Sequence, residues 1–547
     1  MEPQPSAKQR PFALIAVLAA SAFAFFFGLG RLGFLGPDEP RYAEVAREMF
    51  AGGDYISTRL CGCLWFEKPA LLYWLSATGY RLFGVNELAA RLPSALAALA
   101  TVALLYAALR RLALPRLAPA ASLVLATSGI FIAYARVATP DMILAATMSA
   151  ALLAALLFTK ASGRARSIYW MLSCLFMGLA VLAKGLVGVV LVLAILAVYF
   201  WVAGQLRSVR WRDCLVGLVV FLAVAGTWYV PVTMRHGWSF IEEFFIRHHF
   251  ERYTTNEFGH PQPFYFFLLV ALAGTAPWAF MLVPAAGRLR SLRPRNDNRD
   301  SLLTLAWVWV AVPLVFFSVS ESKLPGYILP IFPALAVIIG AEVERVWQGD
   351  RSRALRAALW MTALALAGIG FAFVIYLHRE PIETGGWQAV LAGLPLAMAL
   401  ASAVALAMHK SRAFITGAAG VVVSLILASV ILLVPGLGNE VSLKSLSLEA
   451  AAALRPREKI GFYLKKEFAP VFYAEGRVLC DHRRGTTFYA LHQGMVADAL
   501  ESEPSLILIT DSKWREGLEK DSRFTTEFIA SQGESLALRV ALKKQQN

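Results

Sequence analysis

The stretch PFALIAVLAASAFAFFFGL (Pro11–Leu29), followed closely by GPDEPRY (Gly36–Tyr42), decides how this chain is read. The first is long enough to cross a bilayer core, which takes about 20 apolar residues. The second then falls at a membrane–water boundary, with adjacent carboxylates Asp38 and Glu39 between prolines and Arg41 and Tyr42 one step on. Acids at such a boundary are costly to place and seldom accidental. The cluster therefore points to an active site facing lipid-borne substrates.

The same signal repeats along the chain. Of 547 residues 58% are hydrophobic and only 16% charged, with mean hydropathy +0.58. That balance excludes a soluble protein of this size and indicates a polytopic membrane protein. Apolar runs fall near 11–29, 88–109, 117–135, 140–159, 168–183, 185–203, 213–233, 264–286, 302–320, 325–343, 356–377, 386–408 and 413–435, which predicts about thirteen spans. The net charge of +15 has no nucleic-acid meaning here, because the bases lie between apolar runs instead of on one soluble face. With the N-terminus inside, the inside loops collect Arg110, Arg111 and Arg116, then Lys160, Arg164 and Arg166, and so on to Lys410 and Arg412, whereas outside loops carry single bases such as Arg136, Lys184, Lys323 and Arg379. The asymmetry follows the positive-inside rule and requires an odd number of spans. The first run reads as a retained span, since no small-residue cleavage site follows it.

This orientation divides the chain into a transmembrane part, 1–435, and an outer tail, 436–547, and exposes outer loops at about 30–87 and 234–263. In the tail charged residues become frequent. RVLC (Arg477–Cys480) and SLILIT (Ser505–Thr510) read as strands, and Leu448–Leu454 and Val496–Leu500 as helical, so a small α/β domain is expected. In the first loop, EPRYAEVAREMFAGGD (Glu39–Asp54) has an apolar stripe at Tyr42, Val45, Ala46, Met49 and Phe50 and stops at Gly52-Gly53, which predicts a helix lying along the interface. KPALLYWLSATGYRLFG (Lys68–Gly84) predicts a second, with Tyr73, Trp74 and Tyr80 as interfacial aromatics.

Recognition of phosphate at a bilayer surface needs cations that can be desolvated, and glycosyl transfer needs a carboxylate where positive charge develops on the sugar. The outer boundary supplies Arg41, Lys68, Lys184, Arg247, Arg252 and Lys323, with Tyr327 beside the last, and the carboxylates Asp38, Glu39 and Asp141. No GxxxxGK[ST] loop, no GxGxxG loop after a strand and no HExxH are present. A sugar donor would accordingly be lipid-linked and not a nucleotide sugar.

These residues carry a resemblance. GPDEPRYAEVAREM, WFEKPALLYW, RLPSALAAL, YARVATPDM and KLPGYILPIFPALA, in this order after the first span, resemble the integral-membrane glycosyltransferases of the GT-C fold. Within these the chain is most similar to the undecaprenyl phosphate 4-amino-4-deoxy-L-arabinose transferases of Gram-negative bacteria. Protein O-mannosyltransferases share the architecture. The resemblance implies an inner-membrane enzyme, its tail periplasmic, that moves aminoarabinose from undecaprenyl phosphate to a lipid A phosphate by inverting displacement, masking negative charge against polymyxin and other cationic peptides. It implies no nucleic-acid partner.

Carried over by motif, the resemblance makes Asp38 the central catalytic carboxylate, against the alternative of a helix N-cap. Glu39 becomes a supporting acid, Arg41 and Tyr42 substrate contacts, and Lys68 the donor-phosphate contact, against a snorkelling lysine. Asp141 either caps its span or orients acceptor or sugar amine. Lys184 neutralises Asp38 or Asp141, and Arg252 and Tyr327 complete the phosphate cradle, aromatic and basic residues being common at interfaces in any case. The residues fix no cofactor, and a divalent metal ion is the one candidate. Glu67, His248 and His249 would suit a divalent ion, but neighbouring histidines on a helix point about 100° apart and solvated side chains are the competing reading. Cys61 and Cys63 lie on the oxidising side, yet CGC spacing makes a poor disulfide. A flippase or transporter is the weaker reading, because the polar residues gather at the outer boundary and no repeat is visible.

Overall fold

Each apolar run of the sequence is a helix, or a bent pair of helices, in the computed structural model, which describes residues 9–245, 261–292, 297–379, 386–481 and 486–543. The first is α1 (Gln9–Phe26). After the outer segment come α4 (Glu87–Arg111), the pair α5 (Leu117–Ala126) and α6 (Gly129–Ala135), α7 (Pro140–Lys160), α8 (Gly163–Lys184), α9 (Val187–Val202) and α10 (Trp211–His236). Among the described residues nine helices are each long and apolar enough to cross a membrane, eleven if each bent pair counts as one; Ala13–Phe26 and α9 are shorter apolar helices. The chain is thus a multi-pass, mostly helical membrane protein. Fewer runs than the expected thirteen are full-length single helices, and the breaks have local causes. Between α5 and α6, bent by 65°, the hydroxyls of Thr127 and Ser128 bond back to the Leu123 and Val124 carbonyls and compete with the ladder. Between Phe266–Gly274 and Ala279–Gly287, bent by 111°, Pro277 offers no donor. The helix Pro325–Trp347 and α7 are the most enclosed, whereas α10 leaves most of its surface open, as a lipid-facing helix does.

The first long loop builds α2 (Asp38–Gly52) and α3 (Leu71–Phe83), both where the pattern predicts them. Gly53, at φ +66°, ends α2 in the left-handed conformation that glycine tolerates. Both helices also pack against the rest of the protein, while α3 keeps Leu75, Leu82 and Phe83 exposed. Glu44 is as buried as Val45, because α2 is enclosed by α3, by a hairpin and by a tail helix, Ala469–Tyr473. Tyr73 and Tyr80 are likewise core residues and not interfacial anchors; the Tyr80 hydroxyl is satisfied internally by donating to the Ala43 carbonyl at 3.1 Å. The hairpin consists of β1 (Arg59–Leu60) and β2 (Cys63–Leu64) around Cys61-Gly62, both at positive φ, the backbone of a two-residue primed turn.

In the tail, β3 (Lys459–Tyr463), β6 (Tyr489–Ala490), β7 (Leu506–Asp511), β8 (Phe524–Gln532) and β9 (Ser535–Leu542) form one sheet in the order β6-β3-β7-β9-β8. Strand β3 runs parallel to β6 and β7, and β9 antiparallel to β7 and β8. SLILIT becomes β7, a central strand buried almost throughout; Val496–Leu500 lies in the helix Gln493–Ser502, and Leu448–Leu454 overlaps the helix Lys444–Ala452, which ends two residues earlier than predicted. RVLC is corrected: only Cys480 enters a strand, β4 (Cys480–Asp481), paired with β5 (Thr486–Thr487), while Val478 makes a single bridge to Ile460.

The tail is fastened to the first loop. The Phe34 amide donates to the Tyr473 hydroxyl at 3.0 Å, which donates to Glu87 at 2.9 Å, and Lys444 meets the same carboxylate at 2.6 Å. Phe34 and Phe472 stack edge to face. Beside this contact Arg47 donates twice to Glu44, and Gly476 of the tail approaches so closely that a Cβ there would stand 3.2 Å from Glu44 Oε1. Burial, opposed by Arg47, pushes the Glu44 carboxyl up to about 8. A carboxyl raised on folding contributes stability that is fully present below its unfolded value near 4.5 and is lost as pH rises through about 8. Thermal midpoints of the purified protein should therefore fall between about pH 5 and pH 8.5 by the equivalent of about 1–3 kcal/mol. Glu44→Gln should flatten that slope, and an unchanged slope in the variant would assign it elsewhere.

Candidate active site

The turn into α2 sets the geometry. Gly36 takes φ +60°, Pro37 precedes the helix, and Asp38 is its first residue. Asp38 makes no capping bond; its carboxylate instead pairs with Arg41, one turn on. Arg41 also meets Glu67 at 3.4 Å, and Lys68 meets Glu67 at 3.1 Å, so acid and base alternate across four side chains. The Arg41 guanidinium lies 5.5 Å, 5.6 Å and 5.2 Å from the ring centres of Tyr42, Trp65 and Phe468. Burial works against its charge, and Glu67, Tyr42 and Asp38 more than offset this, so its pKa is driven up and it stays a cation.

Opposite stands a second pair. Asp141, in the first turn of α7, binds Lys184, the last residue of α8, an arrangement that also suits both helix dipoles. Lys184 Nζ lies 4.9 Å from the Tyr327 ring centre. Gly326 permits the close fit: a Cβ there would lie 2.7 Å from the Tyr134 hydroxyl and 2.9 Å from Asp141. Asp38, Glu67 and Lys68 of the first group and both members of the second line a single cavity of about 480 Å³, together with Tyr42, whereas Arg41, expected as a substrate contact, is not in its wall; the size suits a small-molecule site. Its other walls are apolar: Leu144, Leu186, Val187, Val190, Phe316, Phe317 and Leu324. Asp38, Tyr42, Glu67, Lys68, Asp141, Lys184 and Tyr327 are thus brought together from five regions of sequence.

Glu39 does not line the cavity. It is 1% exposed, and its carboxylate accepts two bonds from Arg91 at 2.8 Å, one from the Leu35 amide at 2.9 Å and one from the Ala138 amide at 2.8 Å. Arg91 spends its remaining donors on the carbonyls of Leu29, Leu32 and Gly33. The pair is structural: it joins the end of α1, the turn before α2, the helix α4 and the loop before α7. Lys323 likewise turns away, to the Ser320 carbonyl. Arg247, Arg252, His248 and His249 lie outside the described residues. Glu67, the third expected metal ligand, contacts Arg41 and Lys68, and among the described residues no group of three or more His, Cys, Asp or Glu could hold a metal ion. Three contributors were not foreseen. Arg91 had a signal, as a lone charge within an Ala-Leu run. Tyr134 had a weak one within YARVATPDM. Phe468, far away in the tail, had none.

Comparison with known proteins fits this geometry. The profile of the family described as dolichyl-phosphate-mannose-protein mannosyltransferase matches residues 67–230, which include Glu67, Lys68, Asp141 and Lys184. The undecaprenyl phosphate-α-4-amino-4-deoxy-L-arabinose arabinosyl transferase of Pseudomonas paraeruginosa is 34% identical over 374 residues, 66% of this chain and 65% of its own length. The protein of the same name from Pectobacterium carotovorum is 29% identical over 413 residues, 73% and 72% of the two chains. In the first of these, then, the matched sequence spans just under two thirds of the relative. The fold extends further. The crystal structure of ArnT from Cupriavidus metallidurans bound to undecaprenyl phosphate superimposes with a TM-score of 0.79 at 26% identity, covering 96% of this chain and 97% of that one.

Removing the cation from the buried pair tests its structural role. Arg91→Leu strands the Glu39 carboxylate, which should cost about 3–5 kcal/mol and lower the thermal midpoint of the detergent-solubilised protein. Glu39→Gln combined with Arg91→Leu should recover part of the loss. A single variant as stable as the parent would show that the pair organises nothing.

Proposed function

Related in sequence and in GT-C fold to the undecaprenyl phosphate-α-4-amino-4-deoxy-L-arabinose arabinosyl transferases, the chain is, we propose, a glycosyltransferase that moves 4-amino-4-deoxy-L-arabinose from undecaprenyl phosphate to a phosphate of lipid A. The reading includes the bacterial inner membrane as its site, a transmembrane unit over 1–435, a periplasmic domain over 436–547, and protection against polymyxin as the consequence. The observation that carries it is the double character of the cavity. Asp38, Lys68, Asp141 and Lys184 put charge into its lining, while Leu186, Val190 and Phe316 give it apolar surface suited to a polyprenyl chain.

The chemistry follows from the leaving group. The bond from the anomeric carbon to the donor phosphate oxygen breaks, and that oxygen keeps the electron pair as polyprenyl phosphate. Lys68, with Arg252 and Tyr327 as further candidates, stabilises the growing negative charge. A lipid A phosphate oxygen forms the new bond from the opposite face, inverting the centre. Its second pKa near 6 leaves it mostly ionised at neutral pH, so little is asked of a general base. Asp38 serves mainly by stabilising positive charge on the sugar and by holding Arg41. Asp141, paired to Lys184, has the charge to orient the sugar ammonium or, through its lysine, the acceptor phosphate.

The mannosyltransferase profile over residues 67–230 favours one second reading, transfer to a protein hydroxyl, which would need a base. Lipid A mass spectra from cells that make the aminoarabinose donor, with and without this protein, separate the two. One added aminopentose unit is expected on lipid A, and none on secreted proteins. Asp38→Asn should reduce the modification by about a hundredfold or more at unchanged protein abundance; substantial residual transfer would remove Asp38 from the centre of the mechanism.

A further inference from the structure

Cys480 of the tail meets the Cys61–Cys63 hairpin of the first loop, which brings three of the five cysteines together. Cys61 occupies the β1–β2 turn and Cys63 starts β2, while Cys480 opens β4. The Cys480 thiol donates to the Cys61 carbonyl at 3.0 Å. Of the two hairpin cysteines it is thus Cys61 whose backbone the Cys480 thiol contacts, while Cys63 pairs with Leu60 within the hairpin. Cys61 holds φ +53°, a turn position at which glycine, asparagine or aspartate is the ordinary choice, so a thiol there is placed at a backbone cost. The turn is in turn seated on α2, where Glu48 accepts from the Gly62 amide at 3.0 Å. Cys174 and Cys214, by contrast, lie in membrane-spanning helices.

We propose that Cys61 and Cys480 are the two halves of a disulfide that ties the tail domain to the first outer loop. Neither partner could be paired from spacing, since 418 residues separate them. The bond also resolves the objection to a bridge within CGC: Cys63 remains a thiol, and the strained ring is never formed. Hydrogen bonding from Cys61 holds the Cys480 thiol below its ordinary value, which favours Cys480 as the attacking thiolate. It attacks a sulfur of an external dithiol–disulfide oxidant, giving a mixed disulfide and releasing one oxidant thiolate. Cys61, deprotonated, then attacks the Cys480 sulfur and releases the second. Two electrons pass to the oxidant, and the two protons lost from the cysteines end on its thiols. The link would hold Phe468, twelve residues before Cys480, over the Arg41 that pairs with Asp38. In the cell it rests on the outward orientation proposed above; the pairing itself does not.

The test uses the full-length protein in detergent, reduced, then oxidised with glutathione disulfide, denatured and alkylated. The intact mass should carry two alkyl groups fewer than the five cysteines, and a peptide map should join Cys61 to Cys480. Cys61→Ser should abolish the link and Cys63→Ser should keep it, so the result does not hang on one variant folding. Full labelling of all five thiols, or a map joining Cys63 to either partner, would overturn the pairing. Protein alkylated at the moment of cell lysis supplies the second arm. A bridge already present supports both claims, and a bridge formed only by added oxidant supports the pairing while overturning the outward orientation.

Discussion

The buried pair Glu39–Arg91 is the constraint from which the site follows. Two charges removed from water are tolerable only when geometry and hydrogen bonds compensate both, and here every donor of Arg91 and both oxygens of Glu39 are engaged. Such a pair admits one arrangement of the four segments that meet in it. Successive residues on a helix point about 100° apart. Fixing Glu39 inward, against α4, therefore aims Asp38 toward the cavity. The acid beside the catalytic candidate thus acts as its mounting.

A second constraint is charge balance. Asp38, Glu67 and Asp141 face Arg41, Lys68 and Lys184, each base already in contact with an acid. A phosphate entering this array shares cations that carboxylates already orient, so little side-chain reorganisation accompanies its binding. Preorganised charge of this kind is what stabilises a transition state in which charge separates. The carboxylates also keep the site near neutrality, which limits how tightly any anion is retained there.

Most of the fold and part of the site could be read from the chain because they rest on local signals. Apolar runs located every helix of the bundle, Gly52-Gly53 ended α2, and the acid–base motifs DEPR and FEKP marked Asp38, Glu67 and Lys68, which line the cavity, beside Glu39 and Arg41, which do not. The reading erred where tertiary contacts override local pattern. The aromatic stripe of α3 looks the same whether it faces lipid or protein, and only the Ala43 carbonyl waiting for Tyr80 decides it. Glu39 and Asp38 are chemically alike in sequence; their difference lies in Arg91, on another helix. Strands β8 and β9 carry Thr, Glu, Ser and Gln among apolar residues, so their alternation was too weak to stand out.

The contacts of the tail tie it to the first loop and, through that loop, to the site. Arg41 is held by aromatic rings from three sources: Tyr42 on its own helix, Trp65 from the first loop and Phe468 from the tail. A guanidinium is planar, and rings against it restrict its rotation without satisfying its charge. The charge is left to Asp38 and Glu67, while the rings decide the plane in which those carboxylates must approach. Phe468 directly precedes the helix Ala469–Tyr473, whose Tyr473 is anchored to Phe34 and Glu87. The position of a single aromatic ring over Arg41 is therefore set by hydrogen bonds to the opening of α4, so that loosening the tail would disturb the orientation of Asp38 through Arg41, although no described tail residue lines the cavity.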